Sequence, residues 1–562
     1  MNGPNVALPQ ESAQSAVAAY LDRLLASWQD PKVLTPARLL FVFFFGLVLI
    51  CGVAALTGAV PTRIYGHDVF VPVDAGWRII NGQRPHLDFT SGWGPVWFLA
   101  EGLGLTLSRH SVDGVGYANA IVALLVGTWS FFLGDRRLAS LPRILLGWFL
   151  AALVAAPYPL GVSPFLSSHA MTYNRYGYAL LGLILLECLP AAGDSDESRE
   201  EGWTGGFSTG AALSLTLFLK ASYFFIAVVL IAGVALLLRR LARRRILGIA
   251  LGFAGVSICL LAYLRFDIAA VLGDLHMAGA ARAAAVDNRL VISNALHLSI
   301  LLRMVFFVVV TALLFSNRNP RWRRLRLPAI GALLFLADVG LMSTNAQGYS
   351  FPLCAIFAIL MVNDIAKYQP PPLVARRFFY RPLYLGALLL AALLVVPQFA
   401  RDVVGLGYGL WSKHKVSGDT MVPRFTPPNL QPLVLYNFWA APQSNGVTFV
   451  NYVNDGVALL ERNSRPDETI ITMDMTNPFS FALGRLPAHA GIESPTYNYN
   501  IDDTHRPSDE RFFGNADIVM VPKRPAIDAV FFVGFYQAYK PGLQRRFYLA
   551  AESPLWWMYR RK

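Results

Sequence analysis

The chain has 562 residues, of which 55% are hydrophobic and only 15% are charged, whereas soluble globular proteins carry about 25% charged residues. This composition excludes a soluble globular protein over most of the length. The net charge of +13 does not indicate nucleic-acid binding, because the Lys and Arg residues form short clusters between apolar runs, where the orientation signals of membrane proteins lie.

Residues 1–36 are polar, and we expect them to remain in the cytoplasm and not to be removed as a signal peptide. Apolar runs recur from Leu39 to Ala400, and each is long enough to cross a hydrocarbon core of about 30 Å. The positive-inside rule requires an even number of spans between neighbouring basic clusters, which are residues 136–143, 239–245, 318–326 and 367–381. About eleven spans satisfy the rule, near residues 38–58, 114–134, 143–159, 175–191, 206–220, 221–238, 246–264, 294–316, 327–343, 350–364 and 382–400.

One apolar stretch is not counted as a span. The stretch from Gly94 to Leu107 is short and is interrupted by Gly102 and Gly104, so we predict an interfacial or re-entrant helix. The first outer loop then covers residues 59–113. A transmembrane domain of residues 37–400 is followed by a domain of residues 401–562, in which Asp, Asn and Pro return.

Polar side chains converge on the predicted outer face of the membrane. The loop 59–113 contributes His67, Asp68, Asp74 and Asp88. Ionisable groups at a membrane edge are costly and are candidates for a functional site. Later segments place further candidates on the same face: His169, Tyr173, Arg175, Lys220, Asn345 and Gln347.

The stretch from Gly66 to Pro95 resembles the first external loop of the polytopic GT-C glycosyltransferases, the superfamily of the protein O-mannosyltransferases and the aminoarabinose transferases. In that loop an acidic residue, often an Asp-Glu pair, follows the first span, and Gly, Pro, Asp-Phe and Gly-Pro follow it. Val69 stands where the superfamily often has Glu. The matching positions are Asp68, Gly82, Pro85, Asp88, Phe89, Gly94 and Pro95.

The resemblance implies transfer of a sugar from a polyprenyl-phosphate donor, with inversion, and Asp68 as the general base on the acceptor. Cations must receive the departing phosphate, and Arg175 and Lys220 are the candidates, with His169 and Tyr173 lining the site. The alternative for Asp68 is a helix cap, and the alternative for the two cations is snorkelling to the interface.

The remaining polar residues are less specific. Asn345 and Gln347 are candidates for binding sugar hydroxyls or for satisfying a tight turn. Asp74, Asp88 and His67 bind the acceptor or shape the loop. No group of His, Asp and Glu has metal-ligand spacing, so we predict no metal site. Polyprenyl phosphate is a good leaving group without one.

Residues after Ser412 alternate strand-like and helix-like segments. Strands are predicted at Glu468–Met475 and Ala516–Lys523, a helix at Tyr452–Asn463, and a hairpin near residue 562 after a second helix. This order indicates a small α/β domain with a partly parallel sheet. Asp474 follows the first strand, where we expect it to cap a loop.

The sequence therefore predicts a bacterial inner-membrane enzyme with its N-terminus in the cytoplasm and its α/β domain in the periplasm. Its partners would be membrane lipids, a polyprenyl-phosphate sugar and a glycan or glycolipid acceptor. One alternative is an O-antigen ligase or polysaccharide polymerase whose activity lies in the late outer loop 265–293. A transporter of lipid or glycan is the other, and it would need midspan charges and broken helices.

Overall fold

The computed structural model describes residues 35–188, 199–238, 242–284, 293, 297–314, 320–344, 348–366, 374–417, 422–436, 446–525 and 529–562. The protein is mainly helical in these residues, with one small sheet in its C-terminal part.

Each of the predicted spans coincides with a helix in the structure. Five described segments are long and apolar enough to cross a membrane: Pro36–Thr57, Gly114–Leu133, Arg243–Tyr263, Arg326–Ser343 and Pro382–Val416. The helices at the predicted spans are α1 (Pro36–Thr57), α4 (Gly114–Leu133), α5 (Ser140–Ala155), α6 (Thr172–Cys188), α7 (Arg199–Leu217), α8 (Ala221–Leu238), α9 (Arg243–Tyr263), α11 (Leu298–Leu314), α12 (Pro320–Thr344), α13 (Pro352–Ala366) and α14 (Val374–Ser417).

Three further helices lie between these segments. The first outer loop contains α2 (Phe70–Ile80) and α3 (Pro95–Leu107), and α3 is the helix predicted for the interface. The late outer loop contains α10 (Ile268–Ala284). The first and the late outer loops are therefore partly helical in the described residues.

Helix α1 begins and ends with residues suited to those positions. The Thr35 hydroxyl accepts a hydrogen bond from the Arg38 amide at 3.4 Å, and Pro36 occupies the first turn. Gly58 ends the helix with φ of 56°, and a Cβ at this position would collide with the Asp113 side chain. The chain therefore turns sharply into the first outer loop.

Helices α7 and α9 pack closely because each presents two glycines four residues apart. These are Gly206 and Gly210 on α7, and Gly248 and Gly252 on α9. A Cβ on Gly206 would lie 3.1 Å from the Cα atom of Gly248, so the two backbones are in contact. Of the two helices, α7 leads directly into the turn that carries Lys220.

We expect Gly252→Leu to destabilise the α7–α9 pair by about 3 kcal/mol, because its Cβ would meet the Phe207 carbonyl oxygen. Gly255→Leu is the matched control, since no atom lies within 4 Å of a Cβ placed there. The midpoint of thermal unfolding is measured for both variants from the temperature at which the thiols of buried Cys188 and Cys354 become reactive. Equal midpoints for both variants would contradict the close packing.

Helix α14 continues to Ser417 and is longer than its predicted span of 382–400. The predicted domain boundary at residue 401 therefore falls inside a helix. The change of composition after Arg401 marks the end of the apolar segment, whereas the helix continues with Asp402, whose carboxylate is fully buried.

The C-terminal part has the predicted α/β organisation. Its sheet has the order β1-β2-β4-β3, with β1 parallel to β2 and the other pairs antiparallel. The strands β1 and β2 are buried at every position. The elements are α15 (Gly446–Asn463), β1 (Ile470–Thr472), α16 (Phe479–Ala482), α17 (Asp509–Phe513), β2 (Ile518–Pro522), α18 (Ala529–Arg546), β3 (Phe547–Glu552) and β4 (Trp556–Arg561).

The first outer loop and the C-terminal domain share one hydrophobic core. Val69, Phe70 and Trp77 from the loop pack with buried residues of α15, β1 and β4. The indole nitrogen of Trp77 also donates to the Arg485 carbonyl oxygen at 2.8 Å. The loop that carries Asp68 is therefore held by a domain that follows it by some 400 residues along the chain.

Candidate functional site

Asp68 lies in a short 3-10 turn, Gly66–Val69, immediately before α2. Tyr65 begins this turn in the left-handed region with φ of 49°, and the Tyr65 carbonyl accepts a hydrogen bond from the Asp68 amide at 3.1 Å. No side chain caps α2, whose N-cap residue is Val69, so the alternative interpretation of Asp68 as a helix cap is not supported.

The carboxylate of Asp68 contacts the neighbouring histidine. The Nε2 atom of His67 lies 2.9 Å from Asp68 Oδ1, and the two side chains are 13% and 14% exposed. Burial opposes charging of His67, but the carboxylates of Asp68 and Asp474 outweigh it and raise the pKa of His67 above its usual value. The imidazole therefore holds a proton to higher pH than a free histidine does.

Asp474 belongs to this cluster; its place after β1, where α/β proteins often carry functional residues, favoured loop capping over a functional role. It caps the loop, because its Oδ1 accepts from the Met475 amide at 2.8 Å, and it also accepts a hydrogen bond from the Tyr452 hydroxyl. Burial raises the pKa of the Asp474 carboxyl, and the hydrogen bonds and His67 partly offset this rise. The C-terminal domain thus contributes a buried carboxyl group beside the outer-loop histidine.

Aromatic rings and cations form the other side of the site. The Nζ atom of Lys220 lies 4.6 Å from the centroid of the Tyr173 ring, and Arg282 Cζ lies 3.7 Å from the centroid of Tyr499. Asp68 and Arg282 both interact electrostatically with these two tyrosines. The structure therefore brings the predicted Asp68, Tyr173 and Lys220 together and adds Arg282 and Tyr499.

Lys220 occupies the turn between α7 and α8, outside both helices. Burial lowers the pKa of Lys220 to about 7, and the positive charge of Arg282 lowers it further in the same direction. Burial is also the main cause that raises the pKa of Tyr499, where Arg282 and Asp68 have opposite effects. An anion placed between the two cations would restore the charged form of Lys220.

The sequence does not distinguish Arg282 from the other charged residues of loop 265–293. The structure fixes it through Asp274, which lies on the same helix, α10, and is fully buried. Asp274 Oδ1 lies 2.8 Å from Arg511 NH1, and Asp274 Oδ2 lies 3.1 Å from His86 Nδ1. These contacts attach α10 to both the C-terminal domain and the first outer loop. The Nε atom of Arg282 is buried and has no hydrogen-bond partner among the described residues.

Arg175 lies apart from this cluster and is 2% exposed. Its guanidinium donates to the carbonyl oxygens of Leu153 and Tyr158 at 2.6 Å and contacts Asp402 Oδ1 at 3.0 Å. It also lies over the Tyr158 ring at 4.4 Å. These contacts connect α6 to α14, so we do not include Arg175 in the proposed phosphate site.

His169 also has structural partners. Its Nε2 lies 2.9 Å from the Gly58 carbonyl oxygen, and its Nδ1 lies 3.1 Å from Asn119 Nδ2. Burial lowers the pKa of His169 to about 4, so the ring is neutral at physiological pH. His169 therefore fastens the end of α1 to α4 and lies outside the Asp68 cluster.

Asp74 and Asp88 connect the first outer loop to the C-terminal domain. Asp74 Oδ2 accepts from Arg78 Nε at 2.8 Å, and Asp74 Oδ1 accepts from Asn477 Nδ2 at 3.1 Å. Asp88 Oδ1 lies 2.8 Å from the Nδ1 atom of His489. Both acids therefore hold the first outer loop against the C-terminal domain.

Two predicted residues, Asn345 and Gln347, lie outside the described residues. Among the described residues, no group of three or more His, Cys, Asp and Glu side chains is arranged to hold a metal ion. The cluster around Asp68 contains the carboxyl groups of Asp68 and Asp474, the imidazole of His67, two cations and two tyrosine rings.

No protein-family profile and no curated protein matches the chain. Solved structures do match. ArnT from Cupriavidus metallidurans bound to undecaprenyl phosphate is 12% identical, and the match covers 93% of this chain and 98% of that chain with a TM-score of 0.45. The apo state of the same ArnT is 12% identical, and the match covers 92% of this chain and 97% of that chain with a TM-score of 0.38.

The archaeal oligosaccharyltransferase AglB from Archaeoglobus fulgidus, in complex with an inhibitory peptide and a dolichol-phosphate, is 11% identical. This match covers 93% of this chain and 74% of that chain with a TM-score of 0.39.

Proposed function

We propose that the protein is a membrane glycosyltransferase that moves a sugar from a polyprenyl-phosphate donor to an envelope glycan or lipid. The observation that carries the proposal is the convergence of the Asp68 carboxylate with Lys220 and Arg282 around the rings of Tyr173 and Tyr499. A base facing two cations suits a reaction that removes a proton on one side and releases a phosphate on the other.

The proposed reaction proceeds in one displacement. The acceptor oxygen or nitrogen forms a bond to the anomeric carbon while its proton passes to the Asp68 carboxylate. The bond between the anomeric carbon and the phosphate oxygen breaks, and its electron pair leaves with the polyprenyl phosphate. Lys220 and Arg282 receive this negative charge. Attack from the face opposite the phosphate inverts the anomeric configuration.

The apolar helices and the basic clusters support a multi-pass protein of the bacterial inner membrane. In this arrangement the N-terminus is cytoplasmic, and the Asp68 site and the C-terminal domain are periplasmic. Both substrates would then reach the site from the outer face, the donor through its lipid and the acceptor from the envelope.

The alternative of an O-antigen ligase or polysaccharide polymerase places the activity in loop 265–293. Arg282 lies in that loop and also reaches the Asp68 site, so the position of Arg282 agrees with both enzyme types. The two enzyme types differ in their requirement for Asp68. This residue would be dispensable if the late loop alone carried the reaction.

The test is sugar transfer by membranes that contain the full chain, with a panel of radiolabelled polyprenyl-phosphate sugars and extracted envelope lipids and glycans. We expect one donor to give labelled acceptor and free polyprenyl phosphate in equal amounts, with the opposite anomeric configuration. Membranes without the protein provide the blank. Transfer from no donor, or transfer with retention of configuration, would contradict the proposal.

We expect the affinity for the donor to fall about tenfold between pH 6.5 and 8.5. Lys220, with its pKa of about 7, loses its charge across this range. The phosphodiester of the donor does not ionise between pH 6.5 and 8.5. Binding is measured in an Asp68→Asn background, so that no sugar is transferred during the measurement. Adding Lys220→Arg should abolish the pH dependence, because arginine stays charged. If the donor affinity falls equally steeply with pH in both proteins, the group that titrates is not Lys220.

A further inference from the structure

Arg63 forms a separate cationic site at the end of α14, outside the cluster around Asp68. Its Cζ atom lies 4.4 Å from the ring centroid of Tyr436 and 5.7 Å from that of Tyr408. Its Nε atom is buried and has no hydrogen-bond partner, and no carboxylate in the described part of the chain lies within ion-pairing distance. The guanidinium is thus held between two rings and retains an unused donor.

The backbone around Arg63 is fixed on both sides. The Arg63 amide donates to the Ser167 carbonyl oxygen at 2.8 Å. Its neighbour Thr62 donates to the Val434 carbonyl at 2.7 Å and accepts from the Tyr436 amide at 3.0 Å. Arg63 and Tyr436 are therefore positioned together, and the guanidinium is already oriented before any ligand binds.

The rings next to Arg63 continue outward into an exposed aromatic patch. Tyr408 and Trp411 have centroids 5.5 Å apart, and Phe165 meets Tyr408 edge-on at 5.2 Å. The exposed Lys415 places its Nζ atom 5.1 Å from the Trp411 ring. Aromatic and basic residues in this combination are typical of the headgroup level of a membrane.

Below this patch, α14 presents a continuous exposed apolar stripe. Its members recur every three or four residues, so they lie on one face of the helix. From Leu389 to Val404 the stripe rises roughly 23 Å at the helical rise per residue, most of the thickness of a hydrocarbon core. The exposed residues are Leu389, Leu393, Val396, Ala400 and Val404.

We propose that Arg63 binds the phosphate of an anionic phospholipid whose acyl chains lie along this stripe of α14. Arg63 has no carboxylate within ion-pairing distance among the described residues, and Lys415 adds positive charge at the edge of the same patch, so a headgroup with net negative charge is favoured over a zwitterionic one. The planar guanidinium binds two phosphate oxygens, and the aromatic rings cover the glycerol region.

The site has a consequence for the loop that carries Asp68. Arg63 lies five residues before Asp68, in the segment that connects α1 to the 3-10 turn. A bound headgroup would hold this segment in addition to its backbone hydrogen bonds with Val434 and Tyr436. This inference does not depend on the proposed sugar transfer, because it concerns the binding of a membrane lipid and shares no residue with the Asp68 cluster.

Native mass spectrometry of the purified full chain tests the inference with phosphatidylglycerol, phosphatidylcholine and inorganic phosphate as separate probes. We expect phosphatidylglycerol to bind at least about tenfold more tightly than phosphatidylcholine. Arg63→Gln should weaken phosphatidylglycerol binding about tenfold, and Arg63→Lys should weaken it less, because it keeps the charge and loses the fork. Arg265→Gln is the matched control, since Arg265 is an exposed arginine beyond the end of α9.

Three results would overturn the inference. Unchanged phosphatidylglycerol binding in both Arg63 variants would remove Arg63 as the receptor. Equal losses in Arg63→Gln and Arg265→Gln would indicate a general charge effect. Binding of inorganic phosphate that depends on Arg63, without binding of phosphatidylglycerol, would make this a site for a soluble anion. Thermal unfolding of each variant verifies that the protein is folded.

Discussion

Replacing Asp68 with Asn is expected to lower kcat for sugar transfer by roughly 10³-fold or more, with little change in donor affinity. The amide has the shape of the carboxylate but accepts no proton, and general-base catalysis contributes about 10²–10⁴-fold. The cations Lys220 and Arg282 that are proposed to bind the phosphate are unaltered. Donor binding and single-turnover transfer, measured on the same preparation, separate the two effects.

Asp467→Asn is the control for Asp68→Asn, because Asp467 is an exposed aspartate of the C-terminal domain whose side chain is 76% exposed. We expect its activity to equal that of the unsubstituted protein. Transfer by Asp68→Asn within tenfold of the unsubstituted rate would remove Asp68 as the base. Attention would then move to Asp474, the other carboxyl group beside His67.

A second large loss of activity is expected when Arg282 is replaced. Arg282→Gln should lower kcat/KM about 10²–10³-fold, since it removes a charged donor from the departing phosphate. Arg282→Lys should recover part of this loss, because it restores the charge without the paired donors. The measurement is the rate of polyprenyl phosphate release at donor concentrations below and above KM.

Arg265→Gln again provides the comparison, as an exposed arginine close to the start of α10. A purely structural role of Arg282, through its contact with Tyr499, predicts a different pattern. In that case Tyr499→Leu would reproduce the loss and Arg282→Lys would restore nothing. Normal activity in Arg282→Gln would exclude Arg282 from the phosphate site.

The helices were largely predictable from the sequence because each apolar run is a local signal. The same holds for β1 and β2, which are short buried segments, and for the hairpin of β3 and β4, which turn residues divide into two short strands. The end of α14 was not predictable in this way. Its continuation beyond Arg401 depends on the buried contact between Asp402 and Arg175, which are 227 residues apart.

The candidate site shows the same division between local and distant signals. Asp68, Tyr173 and Lys220 were selected because each follows or precedes an apolar run. Arg282 reaches them through the pair of Asp274 and Arg511, which are 237 residues apart, and no local pattern reveals such a pair. Arg175 had the same local signal as Lys220, but its charge is balanced by a partner that the sequence does not indicate.

The hydrophobic core shared by the first outer loop and the C-terminal domain can form only late in the synthesis of the chain. Val69, Phe70 and Trp77 leave the ribosome early, yet their packing partners in α15 and β4 are synthesised near the opposite end of the chain. Strand β4 lies in the interior of the sheet, between β2 and β3, so the domain closes late. During translation and insertion the loop that carries Asp68 would therefore remain without its packing partners. A nascent chain that already holds Asp68 and Lys220 would complete this core only when β4 has been synthesised.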